Sequence, residues 1–265
     1  MRPAAPLPRL LAALLLLFLG LPVVALLARS LIEGSLTRAI GDPAIVNALL
    51  LSLGTTAVSL ALTVVLGTPL AWALARGHLP GSRLIESLVD LPIVLPPAVA
   101  GLALLLLFGS GGPIGSLLGG IGLSIPFTTS AVVLAQLFVS APFFVRSART
   151  GFAQVPRDLE DAARVDGADE ASVFRHVTIP LAAQALSAGL VLSWARALGE
   201  FGATIMFAGN VLGRTQTLPL AVYAEFQSSL DGAVAAAVIL VIAALAVLVA
   251  VRLIHWRSVG EIASA

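Results

Sequence analysis

Six stretches of this sequence are apolar over most of their length: 10–32, 46–75, 85–109, 130–152, 179–207 and 233–255. A bilayer core about 30 Å thick is crossed by about 20 helical residues at roughly 1.5 Å each, so every stretch is long enough to span it. The runs are continuous rather than short and alternating, which favours helices over a β-barrel. Only 11% of the residues are charged while 58% are hydrophobic. That excludes an ordinary soluble domain, in which about a quarter of residues are charged. The expected fold is all-α, a polytopic transmembrane bundle of about six helices.

The placement of charge orients the bundle. All 15 basic residues are Arg. With a cytoplasmic N-terminus, eleven of them fall inside: Arg2, Arg9, Arg76, Arg83, Arg146, Arg149, Arg157, Arg164, Arg175, Arg252 and Arg257. Arg29, Arg38 and Arg214 fall outside, and Arg196 lies within a segment. The positive-inside rule therefore puts both termini in the cytoplasm. Arg2 and Arg9 before an apolar run imitate a secretory signal, but the run is too long and Ala25-Leu26-Leu27-Ala28 is a poor cleavage site. Residues 1–45 are expected to be a retained helix, bent at Gly20 and Pro22, with an external loop; 46–258 form the core.

Within that core, Ser52, Gly54, Thr55, Thr56, Ser59, Thr63 and Gly67 mark the second helix as one packed against helices rather than lipid. The third opens with Leu91-Pro92-Ile93-Val94-Leu95-Pro96-Pro97, whose prolines remove backbone donors and bend or interrupt it. Such a break either lines a wet cavity or is a kink at the cytoplasmic mouth. Residues 109–128 form a Gly-rich external connector. A Walker-type phosphate loop needs a Lys, and the chain has none, so it carries no P-loop ATP site of its own.

Charge concentrates in one place. From Arg146 to His176 the chain holds five Arg and six acidic residues. The spacing predicts two short amphipathic helices, Arg157 to Arg164 and Ala168 to Arg175, hinged at Asp166-Gly167. Leu159, Ala163, Val173 and Phe174 would form an apolar ridge that either fits a groove on a soluble partner or caps the bundle.

Here the sequence resembles the permease subunits of bacterial ABC importers. Their Glu-Ala-Ala, three residues, Gly, nine residues, Ile-x-Leu-Pro pattern is matched by Asp161-Ala162-Ala163, Gly167, Val177, Ile179 and Pro180. Leu91 to Gly101, Ala195 to Asn210 and Arg214 to Leu220 are similar to the corresponding stretches of molybdate/tungstate permeases. Sulfate/thiosulfate permeases share a related Gly-Glu-Phe/Tyr-Gly stretch, here Gly199 to Gly202. The resemblance implies a type I importer fold and import of molybdate- or tungstate-type oxyanions, with sulfate/thiosulfate as the alternative. It implies a homodimer, two copies of an ATP-binding subunit and an oxyanion-binding protein, periplasmic or lipid-anchored. Membrane lipid is the remaining partner; no nucleic acid, cofactor, metal or catalytic residue is implied. The loop 153–178 would be the coupling helix, with Glu160, Asp161, Ala162, Ala163, Gly167, Val173, Phe174 and Pro180 as ATPase-coupling residues. A self-contained secondary anion transporter is the rival of a different class; its usual internal repeats are not found.

Arg196 and Glu200 lie four apart, on one helix face. An ionised group at the bilayer centre costs about 2.5–3.5 kcal/mol, so such groups pair, meet water or act. Either the pair lines the translocation path, with Thr204 one turn on, or it fixes helix contacts beside Gly199 and Gly202. His78, His176 and His255 are too scattered for a metal site.

Overall fold

A computed structural model describes residues 6–263, and side chains from 7 to 249 other than that of Arg38. Arg2, and the side chains of Arg38, Arg252 and Arg257 used above for orientation and of His255, lie outside the described residues. Every regular element of the described residues is helical: α1 (Pro6–Glu33), α2 (Ser35–Ile40), α3 (Pro43–Arg76), α4 (Ser82–Val94), α5 (Pro97–Phe108), α6 (Pro113–Gly119), α7 (Thr129–Gln154), α8 (Arg157–Val165), α9 (Glu170–Val173), a π turn (Phe174–Thr178), α10 (Ile179–Leu198), α11 (Gly202–Phe207), α12 (Leu218–Ser228) and α13 (Leu230–Ala263). Among the described residues, α1, α3, α7, the run Glu170–Leu198 and α13 are each long and apolar enough to cross a bilayer. A sixth span arises if α4 and α5 are counted as one bent element.

Local chemistry sets the limits of these helices. Asp42 caps α3 by accepting from Ala44 N–H at 2.8 Å, with Pro43 in the first turn, where its missing donor does no harm. The same helix stops at Gly77, whose φ of 71° is left-handed. Thr128 caps α7 by accepting from Ala131 N–H at 3.3 Å.

The centre of the fold is the three-helix contact of α3, α7 and α10. Gly67 of α3 lets the side chains of Phe144 and Val145 approach; Ser52, Thr55, Thr56, Ser59 and Thr63 are buried as the composition suggested, whereas Gly54 is exposed. Helix α10 runs antiparallel to α7, in a register fixed by Ser147 Oγ donating to Ala185 O (2.6 Å) and Ser193 Oγ to Ser140 O (3.0 Å). Across α3 and α7, Gln136 Nε2 donates to Thr56 Oγ1 at 3.3 Å. In lipid these polar contacts satisfy groups that would otherwise be stranded.

Two of the six apolar stretches are not continuous helices. The proline-rich stretch splits at Leu95-Pro96, and the axes of α4 and α5 diverge by 115°. The stretch 179–207, expected as one helix, ends at Leu198, passes Gly199-Glu200-Phe201 without helix and resumes as α11. The reason is visible in the contacts. Helix α11 lies mainly on α5, with a smaller contact to α7, and the glycines Gly101 and Gly202 allow near backbone contact between α11 and α5. The chain then returns as α12, too short to span, which is anchored where Leu218 N–H donates to the buried Ser52 Oγ at 2.7 Å. The external connector also contains more order than its glycines suggested: α6 folds back so that Gly115 sits against the carbonyl of Gly109.

Candidate functional site

The two interruptions face each other. Between them lies a cavity of about 630 Å³ lined by Pro92, Leu95 and Pro97 from one break, by Arg196, Glu200 and Phe201 from the other, and by Phe143 of α7. The proline-rich break therefore lines a cavity, the first of the two roles open to it.

Arg196 sits in the last turn of α10, about 25 Å from its start at 1.5 Å per residue. Glu200 lies one residue past the capping Gly199, so the pair keeps its four-residue spacing although Glu200 is no longer helical. Arg196 Nη1 is 2.5 Å from Glu200 Oε2, an ion pair. Glu200 Oε1 accepts from Ala203 N–H at 2.6 Å, which satisfies a free donor of the first turn of α11. Glu200 is 1% exposed, whereas the Arg196 side chain is 28% exposed and borders the cavity. The carboxylate is therefore held behind the guanidinium.

Thr204 does not join them. It is fully buried in α11 among the side chains packed on α5 and α7 and does not line this cavity. Among the described residues no group of three His, Asp or Glu is placed to hold a metal ion.

The cytoplasmic loop differs from the expected pair of helices. The first, α8, forms as expected, and Gly167 follows it with φ of 92°, a left-handed turn that favours glycine. The second is only the four-residue start of the next membrane helix, joined to α10 through the π turn 174–178. Asp169 begins it by accepting from Ser172 N–H at 2.8 Å, a contact with Ser172 that holds its carboxyl below the usual range.

The apolar ridge is rearranged accordingly. Val173 is buried, and Phe174 turns inward to make an edge contact with Trp72 and a tilted one with Phe152. Both had been expected on the exposed surface. Leu159 and Val165 are exposed, as are Asp161, Ala162 and Pro180, with Ala163 half-buried. Glu160, also expected outside, is buried against Arg76 and Thr178. On the outer face Arg164 Nη1 meets Asp161 at 2.7 Å and its Nε meets Glu170 at 2.7 Å. The Glu170 bond holds the guanidinium above, and the carboxyl below, their ordinary ranges.

Residues 63–259 match the family described as the binding-protein-dependent transport system inner membrane component. The chain belongs to this family. It is thus the permease component of an ABC transporter and a multi-pass membrane protein. Similar members include the molybdenum transport system permease protein ModB of Mycobacterium tuberculosis, 42% identical over 95% of this chain and 96% of its own. A probable transport system permease, NifC of Clostridium pasteurianum, is 38% identical over 94% and 87%. The sulfate transport system permease CysW of Synechocystis is 36% identical over 92% and 90%. Among solved structures, a bacterial ABC transporter importing alginate superposes with a TM-score of 0.72 at 17% identity, covering 94% of this chain and 95% of that one. The MetNI methionine ABC transporter gives 0.60 at 21% identity over 79% and 94%. These two establish the fold as that of ABC importer permeases.

Sequence reading of this permease missed several residues that the site uses. Arg76 was counted only as a positive-inside charge, and Thr178 not at all, yet both hold Glu160. Phe143 lines the cavity from an otherwise ordinary apolar stretch, and nothing in its local pattern marks it. Leu95 and Pro97 were signalled by the proline run.

Proposed function

We propose that this permease carries tetrahedral oxyanions of the molybdate and tungstate class inward. The observation that carries the reading is the cavity where two interrupted spans meet, with Arg196 presented to it over the buried Glu200. A dianion gains charge-assisted N–H contacts there, and the adjacent carboxylate keeps the binding weak enough for release. Relatives that match over most of both chains are named for molybdenum or for sulfate transport, the molybdenum ones at the higher identity. Sulfate or thiosulfate is the second reading, favoured only by the CysW relatives.

The working unit in this proposal is a homodimer of cores 46–258, each with an additional helix from 1–45. Two ATP-binding subunits engage the loops 153–178 through Leu159, Asp161, Ala162 and Val165, and an external binding protein delivers the anion. Both termini are cytoplasmic. A single Cys at Val165 is then expected to react with an impermeant thiol reagent only from the cytoplasmic side, and one at Ser116 only from outside. Reaction of both from one side would overturn the orientation.

Substrate is decided by ATP-dependent uptake in proteoliposomes containing permease, ATP-binding subunit and binding protein. Radiolabelled molybdate should accumulate and be displaced by tungstate at far lower concentration than by sulfate. Equal displacement by sulfate, or preferential sulfate uptake, would move the assignment to the second reading.

A further inference from the structure

Glu160 is the single buried residue of α8, in a nine-residue helix whose other charged side chains face solvent. Its Oε1 accepts from Thr178 Oγ1 at 2.6 Å and is also contacted by Arg76 Nη2. Arg76 ends α3, with a side chain only 7% exposed. Thr178 is fully buried and ends the π turn that leads into α10. One carboxylate oxygen thus joins α8 to the end of α3, 84 residues earlier, and to the π turn, 18 residues later. Helix α8 has little else to hold it, since its main neighbours are α9 and the π turn.

We infer that Glu160 is the positioning residue through which a displacement of α8 is transmitted to α3 and α10 together. This rests on the reading of 153–178 as the loop that the ATP-binding subunit engages. Three features support it. The contact is charge-assisted and sheltered from water, so it is stiffer than the solvated pairs that Arg164 makes on the outer face. The π turn sets the rotation of Thr178 toward Glu160; removing its extra residue would swing the hydroxyl by about 100°, one residue of helix. Finally, α10 continues as a single helix from this joint to Arg196, so a tilt imposed at Thr178 arrives at the cavity wall some 25 Å away. Asp161, its exposed neighbour, has no comparable connection to the bundle: its ion partner is Arg164, on the same helix.

The test uses the complete transporter with its binding protein in proteoliposomes, with variants Glu160→Gln, Arg76→Lys and Thr178→Val. Three quantities are measured: retention of the ATP-binding subunit on affinity purification, melting temperature in detergent, and anion imported per ATP hydrolysed. Glu160→Gln and Thr178→Val should retain the subunit and keep hydrolysing ATP while import per ATP falls severalfold. Arg76→Lys, which preserves the charge, should keep most of the wild-type ratio. A purely structural joint would lower the melting temperature and leave the ratio at the wild-type value, which overturns the inference. If Glu160→Gln does not assemble, Thr178→Val decides alone, because it removes a single hydroxyl. Failure of the underlying docking reading has a different signature: Leu159→Asp/Val165→Asp would then still retain the ATP-binding subunit.

Discussion

Replacing Arg196 by Met should destabilise the permease by about 3–5 kcal/mol, because it leaves a carboxylate that is 1% exposed without its cationic partner. Glu200 cannot relax toward water, since its other oxygen is engaged by Ala203 N–H at the start of α11. The double variant Arg196→Met/Glu200→Gln is the informative companion. Gln retains an acceptor for that N–H and carries no charge, so most of the lost stability should return. Uptake should not return, because the cavity then presents no cation to an incoming dianion. Glu200→Gln alone should hold the anion more tightly and release it more slowly, lowering the maximal rate and the half-saturating concentration together. The checks are detergent melting temperature and initial uptake rates for all three variants. Full uptake in the double variant would reduce the pair to a packing device and remove Arg196 from the path.

The legible and illegible parts of this molecule divide along a physical line. Spans of 20 or so apolar residues are set by bilayer thickness, a one-dimensional requirement, and α1, α3, α7 and α13 follow directly from it. The break at Leu95-Pro96 was equally readable, because proline acts locally through a missing N–H. The break at Gly199-Glu200-Phe201 was not. Nothing there forbids a helix; the chain leaves α10 because α5 offers a glycine-lined seat for α11, and that seat lies about a hundred residues away in sequence.

The cytoplasmic loop misled for a related reason. Amphipathic patterning identifies which side chains share a face but not which face is covered. Val173 and Phe174 looked like an exposed docking ridge, whereas beneath them lie Trp72 and Phe152. Glu160 looked solvated beside Asp161, yet its partner Arg76 lies 84 residues earlier. A buried charge is affordable only where such a partner exists, and no local signal announces one.

The seat for α11 also carries the second large expected effect. A Cβ on Gly101 would stand 2.6 Å from Ala203 O, 2.8 Å from Ala203 Cα and 2.7 Å from Met206 Cβ. Two of these three are backbone atoms, so a rotamer change cannot relieve the overlap and the helices must separate. Overpacking of this kind costs typically about 1–3 kcal/mol, and more when backbone has to move. Pro97 and Gly202 belong to the same contact and line the cavity, so separating α5 from α11 displaces its wall as well. Gly101→Val should therefore lower the melting temperature strongly and nearly abolish uptake, with Gly101→Ala intermediate. Gly202→Ala, whose Cβ would meet Pro97 Cβ at 2.7 Å, should resemble Gly101→Ala. Gly54 supplies the contrast: it lies within α3 with nothing inside 4 Å of an added Cβ. Gly54→Ala is expected to be neutral or to stabilise by up to about 1 kcal/mol through helix propensity alone. Should Gly101→Ala and Gly54→Ala behave alike in both melting and uptake, the close approach of α5 and α11 is not what shapes the cavity.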